Sequence, residues 1–391
     1  MPGSVRGRVH PAGKCDRLVG PVIETRLRRS VAAAAIAVAA AAAVPAAQQK
    51  PLDRLPTTTL DVAAPAARVR GGPGEMAIQA RPCRMEPTTS LRRRIVDVAA
   101  QEWGFFGFRI VDRTEMIPRV EQASVELASP VPRGGGDEAR AIQGRSDPVR
   151  RRPRISPEEA GRVATSIAGY WAVTPEGGWI VGRQNDEWKG SDGIAARWNA
   201  PWSAAFISWV MCEAGAGATE SFQRAVAHHT YIDQAIRARD GRAPRAAYVA
   251  HDVGEAAIAP GDLLCSSRRP VYRTLAERRR QMGVGARTHC DIVVKVDERA
   301  ARILVIGGNV RGTVSLKLLR AERQAGKPLG VMDPDEERPI FAHLQLRAEP
   351  VAPDALDSSP TTRALGCVPL VPILASGATD VVRATPLPAR C

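Results

Sequence analysis

The stretch PWSAAFISWVMCEAG, residues 201–215, decides how the rest of the chain reads. Phe206, Ile207, Val210, Met211 and Ala214 recur at helical spacing, so the run is a helix with one buried face. Ser203 falls in its first turn, on that face, directed at whatever the helix packs against. A helix start carries partial positive charge and unpaired backbone N–H groups, which favour an anionic nucleophile and a developing oxyanion. A serine in that position also serves as a plain helix cap, and spacing alone leaves both readings open.

Downstream the period changes from helical to alternating. Residues 222–238 read as one more helix, and then come strand-like segments at 262–267, 289–296, 302–308, 313–319 and 340–347, each bounded by turn residues. Helices first and strands afterwards make an α+β domain with an antiparallel sheet. His289 opens the strand THCDIVVKV, where it shares a face with Asp291 while Cys290 points the other way. A histidine at a strand end beside a helix start is a base-and-nucleophile arrangement. Asn309 ends the next strand, VIGGN, where an amide can hold an imidazole tautomer or simply make the turn. Asp291 is the rival orienting group.

Upstream of Ser203 the tryptophans concentrate: six of the seven lie between Trp171 and Trp209. Residues 175–200 read as a Gly- and Trp-rich loop, in which Trp179, Trp188 and Trp198, with Trp202 just beyond it, can stack on sugar rings or fill the core. Asp192 and Asn199 belong to the same loop and can line the cleft. His228 shares a helical face with Tyr231 and Ile232, at the cleft edge or simply packed. The segment 266–287 holds seven arginines just before His289, placed to attract an anionic substrate or to form a solvated basic helix.

Four motifs in order resemble a known family. PWSAAFISWV is similar to the Pro-Trp-Cys-Ala-Ala-Phe-Val pattern of CHAP and NlpC-type peptidoglycan amidases, in which the Cys is the nucleophile. PGDLL (260–264), HCDIVV (289–294) and VIGGNVRGTVSL (305–316) resemble the strands that follow, with the catalytic His and the polar residue that completes the triad. More closely, the chain resembles the bacterial domain of unknown function numbered 2272, over residues 91–107 and 156–346. The resemblance implies a papain-like fold and a triad of Ser203, His289 and Asn309 or Asp291, with Trp202, Trp198, Asp192 and His228 toward the substrate. It also implies cleavage of amide bonds in the cell wall. The departure is Ser203 itself. A hydroxyl is activated by His less readily than a thiol of pKa near 8.5, so the alternative is an inactive module that binds peptidoglycan or another envelope polymer. Cys212 and Cys290 are poorly placed to replace it as nucleophile.

The flanks read differently. Residues 26–47, RLRRSVAAAAIAVAAAAAVPAA, have the charged start, apolar middle and small-residue end of an export signal, with cleavage after Ala46 or Ala47. The apolar run 31–44 is shorter than the roughly 20 residues a membrane span needs, so the membrane enters only as a possible N-terminal anchor. The expected division is 1–47 for the signal or anchor and its extension, 48–88 flexible linker, 89–130 a helical segment that packs on the core, capped by Ser90 and ended by Gly104, 131–155 linker, 156–348 the domain, and 349–391 a disordered Pro- and Ala-rich tail. The 391 residues carry a net charge of +14, which suits an anionic envelope polymer. No nucleic-acid-binding signature accompanies that charge. The seven cysteines include no CxxC pair and no Cys/His cluster of zinc spacing, so no metal or organic cofactor is implied, and disulfides are permitted with a pairing the sequence does not reveal.

Overall fold

Short runs of alternating or β-branched residues bounded by turns make up most of the sheet. The computed structural model describes residues 51–114, 157–191, 193–195, 197–323, 327–332 and 338–364, with backbone only for 157–160 and Ala195. The expected signal segment, the 131–155 linker, Asp192 and the end of the tail lie outside the described residues. Five strands fall where the pattern put them: β5 (Leu263–Arg269), β6 (Arg287–Asp297), β7 (Arg302–Val310), β8 (Thr313–Arg323) and β10 (Ile340–Leu346). β3 (Arg109–Arg113), β4 (Tyr248–His251) and β9 (Leu329–Met332) complete an eight-stranded sheet in the order β3-β8-β7-β6-β5-β10-β4, with β9 also on β8. All pairs are antiparallel except β3 with β8. The fold is mixed α+β.

Both faces of the sheet are covered. The even-numbered Cys290, Ile292 and Val294 of β6 join the large core beneath the helices, whereas Val293 joins a smaller cluster on the other face with Leu264, Ile303 and Val305. α4 (Ser203–Ala214) lies on the helix side over β6 and β7, between α1 (Leu91–Phe105) and α2 (Pro157–Trp171). Eleven of its twelve residues are buried; only Ser203, at its start, is partly open.

Several expectations need correction. α1 has 13 of its 15 residues buried. Its buried charges are paired: Arg92 meets Asp262 at 2.6 Å and Glu102 meets Arg54 at 2.6 Å, both from elsewhere in the chain, while Asp97 meets Arg93 of the same helix at 3.0 Å. Ser90 makes no cap bond, and the helix runs through Gly104 to Phe105, with Gly107 (φ 84) in the left-handed position just past the C-cap Phe106. The supposed loop at 175–200 contains α3 (Gly177–Trp188). Gly177 is a packing requirement there, because a Cβ would lie 1.8 Å from the Trp171 carbonyl oxygen. The helix expected over 222–238 is shorter, α5 (His229–Arg239), with His228 just before it.

Residues 51–88, expected as a flexible linker, instead form a strap on the helices. It holds the small pair β1 (Val69–Arg70) and β2 (Ala77–Ile78). Arg68 is buried against Glu213 at 2.7 Å, and Cys83 is disulfide-bonded to Cys212 of α4. The start of the expected tail also docks, through Lys295–Asp357 at 2.6 Å, Arg93–Ser358 and the short α7 (Pro360–Ala364). Among the described residues no helix is long and apolar enough to cross a membrane.

Candidate functional site

Ser203 does not cap its helix. The N-cap position belongs to Trp202, which makes no side-chain cap bond, and the Ser203 hydroxyl lies 2.7 Å from Nε2 of His228. His228 was read as a cleft-edge or packing residue, and the structure makes it the direct partner of Ser203. Its ring is buried, and its other nitrogen, Nδ1, meets the Tyr231 hydroxyl and the backbone N–H of Cys290 at 3.2 Å.

These contacts assign the protons. A backbone N–H can only donate, so Nδ1 of His228 must be the acceptor. The neutral ring then carries its proton on Nε2 and donates to Ser203 Oγ. Burial pushes His228 well below the ordinary histidine value, with the neighbouring His289 acting the same way, so the ring stays neutral. Burial likewise keeps the Tyr231 phenol protonated.

A second cluster adjoins it on β6. His289 and Asp291 alternate with Cys290 along the strand, with His289 Nε2 2.9 Å from Asp291 Oδ1. Lys317, from β8, donates to Asp291 Oδ2 at 2.8 Å and lies 3.2 Å from His289 Nε2. Burial alone would raise the Asp291 carboxyl, but Lys317 and His289 together hold it well below the usual carboxylate range. His289 is lowered by burial, which outweighs the raising effect of Asp291 and is reinforced by Lys317 and Arg268. With Nε2 engaged by Asp291, Nδ1 is the basic nitrogen left on the ring. The rings of His228 and His289 are arranged edge to face with centroids 5.1 Å apart.

β7 makes room for both clusters. A Cβ on Gly307 would lie 1.8 Å from Asp291 Oδ1, and one on Gly308 would lie 2.5 Å from Phe206 Cβ of α4. Asn309 follows at a register shift, in the left-handed region (φ 55). The side chain that reaches His289 is that of Asp291. Arg311 and Gly312 then take the two positive φ angles of a tight hairpin turn.

The tryptophans do not converge on Ser203. Trp202 is buried against Phe106 and Tyr170, and Trp198 packs edge-on against Trp188 at 5.3 Å. Asn199 helps line a groove of about 530 Å³ on α3, together with the exposed Trp179, Arg183, Asp186 and Glu187; Ser203 does not line it. Both cysteines considered as alternative nucleophiles are in disulfides, Cys83–Cys212 and Cys265–Cys290. Among the described residues no group of three His, Cys, Asp or Glu is placed to hold a metal ion. Lys317 and Tyr231 went unassigned in the sequence reading. The one visible sign was a lysine set inside the apolar strand TVSLKLL.

Residues 162–341 match the family described as uncharacterized protein conserved in bacteria (DUF2272). The chain carries a DUF2272 domain. The matched stretch runs from α2 to the start of β10 and so contains Ser203, His228, His289, Asp291 and Lys317. The strap, α1 and β3 precede it. No curated protein and no solved structure matches the chain.

Proposed function

We propose that the DUF2272 domain of this chain is an exported amide hydrolase of papain-like, CHAP/NlpC-type architecture, acting on peptide bonds of the cell wall with Ser203 as nucleophile. The observation that carries this reading is the Ser203 hydroxyl at the start of α4, bonded to an imidazole instead of to its own helix. In the reaction Ser203 Oγ attacks the carbonyl carbon, and His289, oriented by Asp291, takes the hydroxyl proton and later gives it to the leaving amine. The backbone N–H at the helix start faces the developing oxyanion. Two disulfides in the core are in keeping with an oxidising compartment outside the cytoplasm.

The test is release of new amino termini from purified peptidoglycan by the full chain and its Ser203→Ala, Ser203→Cys and His289→Ala variants. Activity in the native protein that is lost in Ser203→Ala and His289→Ala supports the reading. Full activity in Ser203→Ala sinks it. The accepted bond from His228 favours a second reading, in which the site holds envelope polymer without cutting it. Native protein that is silent but pellets with cell walls, while Ser203→Cys cuts, selects that reading.

A further inference from the structure

Ser203 touches one imidazole, yet that imidazole is built so that it cannot take the serine's proton. We infer that His228 is a fixed hydrogen-bond donor to the Ser203 oxygen, a positioning group that stabilises the alkoxide, and that the proton acceptor is the other histidine, His289. This deepens the proposed hydrolase and rests on it.

Three observations on independent elements converge. The Cys290 backbone N–H comes from β6 and points at His228 Nδ1, 3.2 Å away. It has no lone pair, so an Nδ1–H tautomer would set two hydrogens against each other. The Tyr231 hydroxyl, from the first turn of α5, approaches the same nitrogen. Cys290 is itself anchored, because its side chain is bonded to Cys265 on the adjacent strand. The ring therefore cannot turn its lone pair toward Ser203 without breaking both contacts. A hydroxyl has two acceptor sites and one proton. With one acceptor site filled by His228 Nε2–H, the Ser203 proton remains free to leave in another direction.

The bookkeeping of the step closes. As the Oγ–C bond forms, the carbonyl π pair moves to its oxygen, and the Ser203 proton passes to Nδ1 of His289. The positive charge on that ring is balanced by Asp291. His228 keeps its Nε2 proton throughout and stays neutral. Its donated bond strengthens as charge grows on Oγ, because hydrogen bonds to ionised oxygen are about twice as strong as neutral ones.

The test uses the full chain and a fluorophosphonate probe, which bonds phosphorus to an activated serine with loss of fluoride. Glutamine at 228 places an amide N–H where the ring has Nε2–H and has no basic nitrogen. If His228 is a donor, His228→Gln labels more slowly than the native protein but on the order of tenfold faster than His228→Ala, which has no donor left. If His228 is the base, glutamine is as inactive as alanine, and the inference is overturned. Nitrogen NMR of the native protein gives a second answer that needs no variant to fold: the His228 proton on Nε2 supports the inference, and on Nδ1 rejects it. A native protein that the probe never labels rejects the hydrolase, and with it any catalytic use of the donor, whereas the NMR result separates that failure from an error about the tautomer.

Discussion

His289 is pulled in opposite directions by its neighbours. Asp291 at 2.9 Å favours the charged ring, while burial and the Lys317 ammonium at 3.2 Å oppose it and win. A base must be neutral to accept a proton, so the labelling rate should rise with pH through the folded value of His289, which lies below the ordinary one of about 6.5, and stay flat above it. Lys317→Met removes a charge that lowers His289. The acid limb of the pH–rate profile should then move to higher pH, with the plateau kept. A profile that does not move would mean that Lys317 only braces Asp291. The same shifts bear on stability. His228 and His289 both have lowered folded values, so the folded state binds fewer protons than the unfolded chain in the window below about 6.5. Their stabilisation is complete above that pH and is lost as pH falls through the folded values. Melting temperature should drop on acidification from neutrality, and less steeply in His228→Gln, where one of the two groups no longer titrates.

At the level of elements, β7 fits against both the Asp291 side chain and α4 because two consecutive residues of the strand have no side chain. Gly307→Ala drives a methyl group into Asp291, and Gly308→Ala drives one into Phe206. Each should cost about 1–3 kcal/mol in urea unfolding, as overpacked sites do. Gly307→Ala should in addition abolish probe labelling, because the carboxylate that orients His289 is displaced. The Gly-Gly-Asn sequence was legible as a site motif, but the residue it seemed to offer, Asn309, serves the register shift instead. The main strands were legible as runs of alternating or β-branched residues, seven to eleven long and bounded by turns. β3, five residues long, and β4, four, are too short to show such a run. α3 was hidden by Gly177 and Gly178, whose absence of side chains reads as loop until the Trp171 carbonyl is found in the space. The pairing of Ser203 with His228 was not readable either. It depends on where the chain between α4 and α5 turns, and the helix seemed to begin earlier than it does.

At the level of the whole molecule, the inherited unit and the folding unit differ in extent. The family match begins at residue 162, yet α1 is buried almost throughout and β3 closes one side of the sheet. A fragment trimmed to 162–341 should fail to give dispersed NMR spectra, since it also loses most of β10 and the Arg92 partner of the buried Asp262. Full dispersion would show that α1 is an accessory. The partners of Arg92 and Glu102, Asp262 and Arg54, lie too far along the chain for periodicity to reveal. The strap was likewise hidden by its proline-rich composition. Replacing Cys83 and Cys212 together with Ala should lower stability by about 2–4 kcal/mol in denaturant titrations, the usual effect of a long-range disulfide. The order of the core cysteines along the chain has a further consequence. They emerge from a ribosome or a translocon as 83, 212, 265 and 290, and the two bonds join the first to the second and the third to the fourth. An oxidant that couples each of these four thiols with the next to appear reaches the native connectivity directly, so among them vectorial delivery proofreads the pairing and leaves no wrong bond for an isomerase to undo.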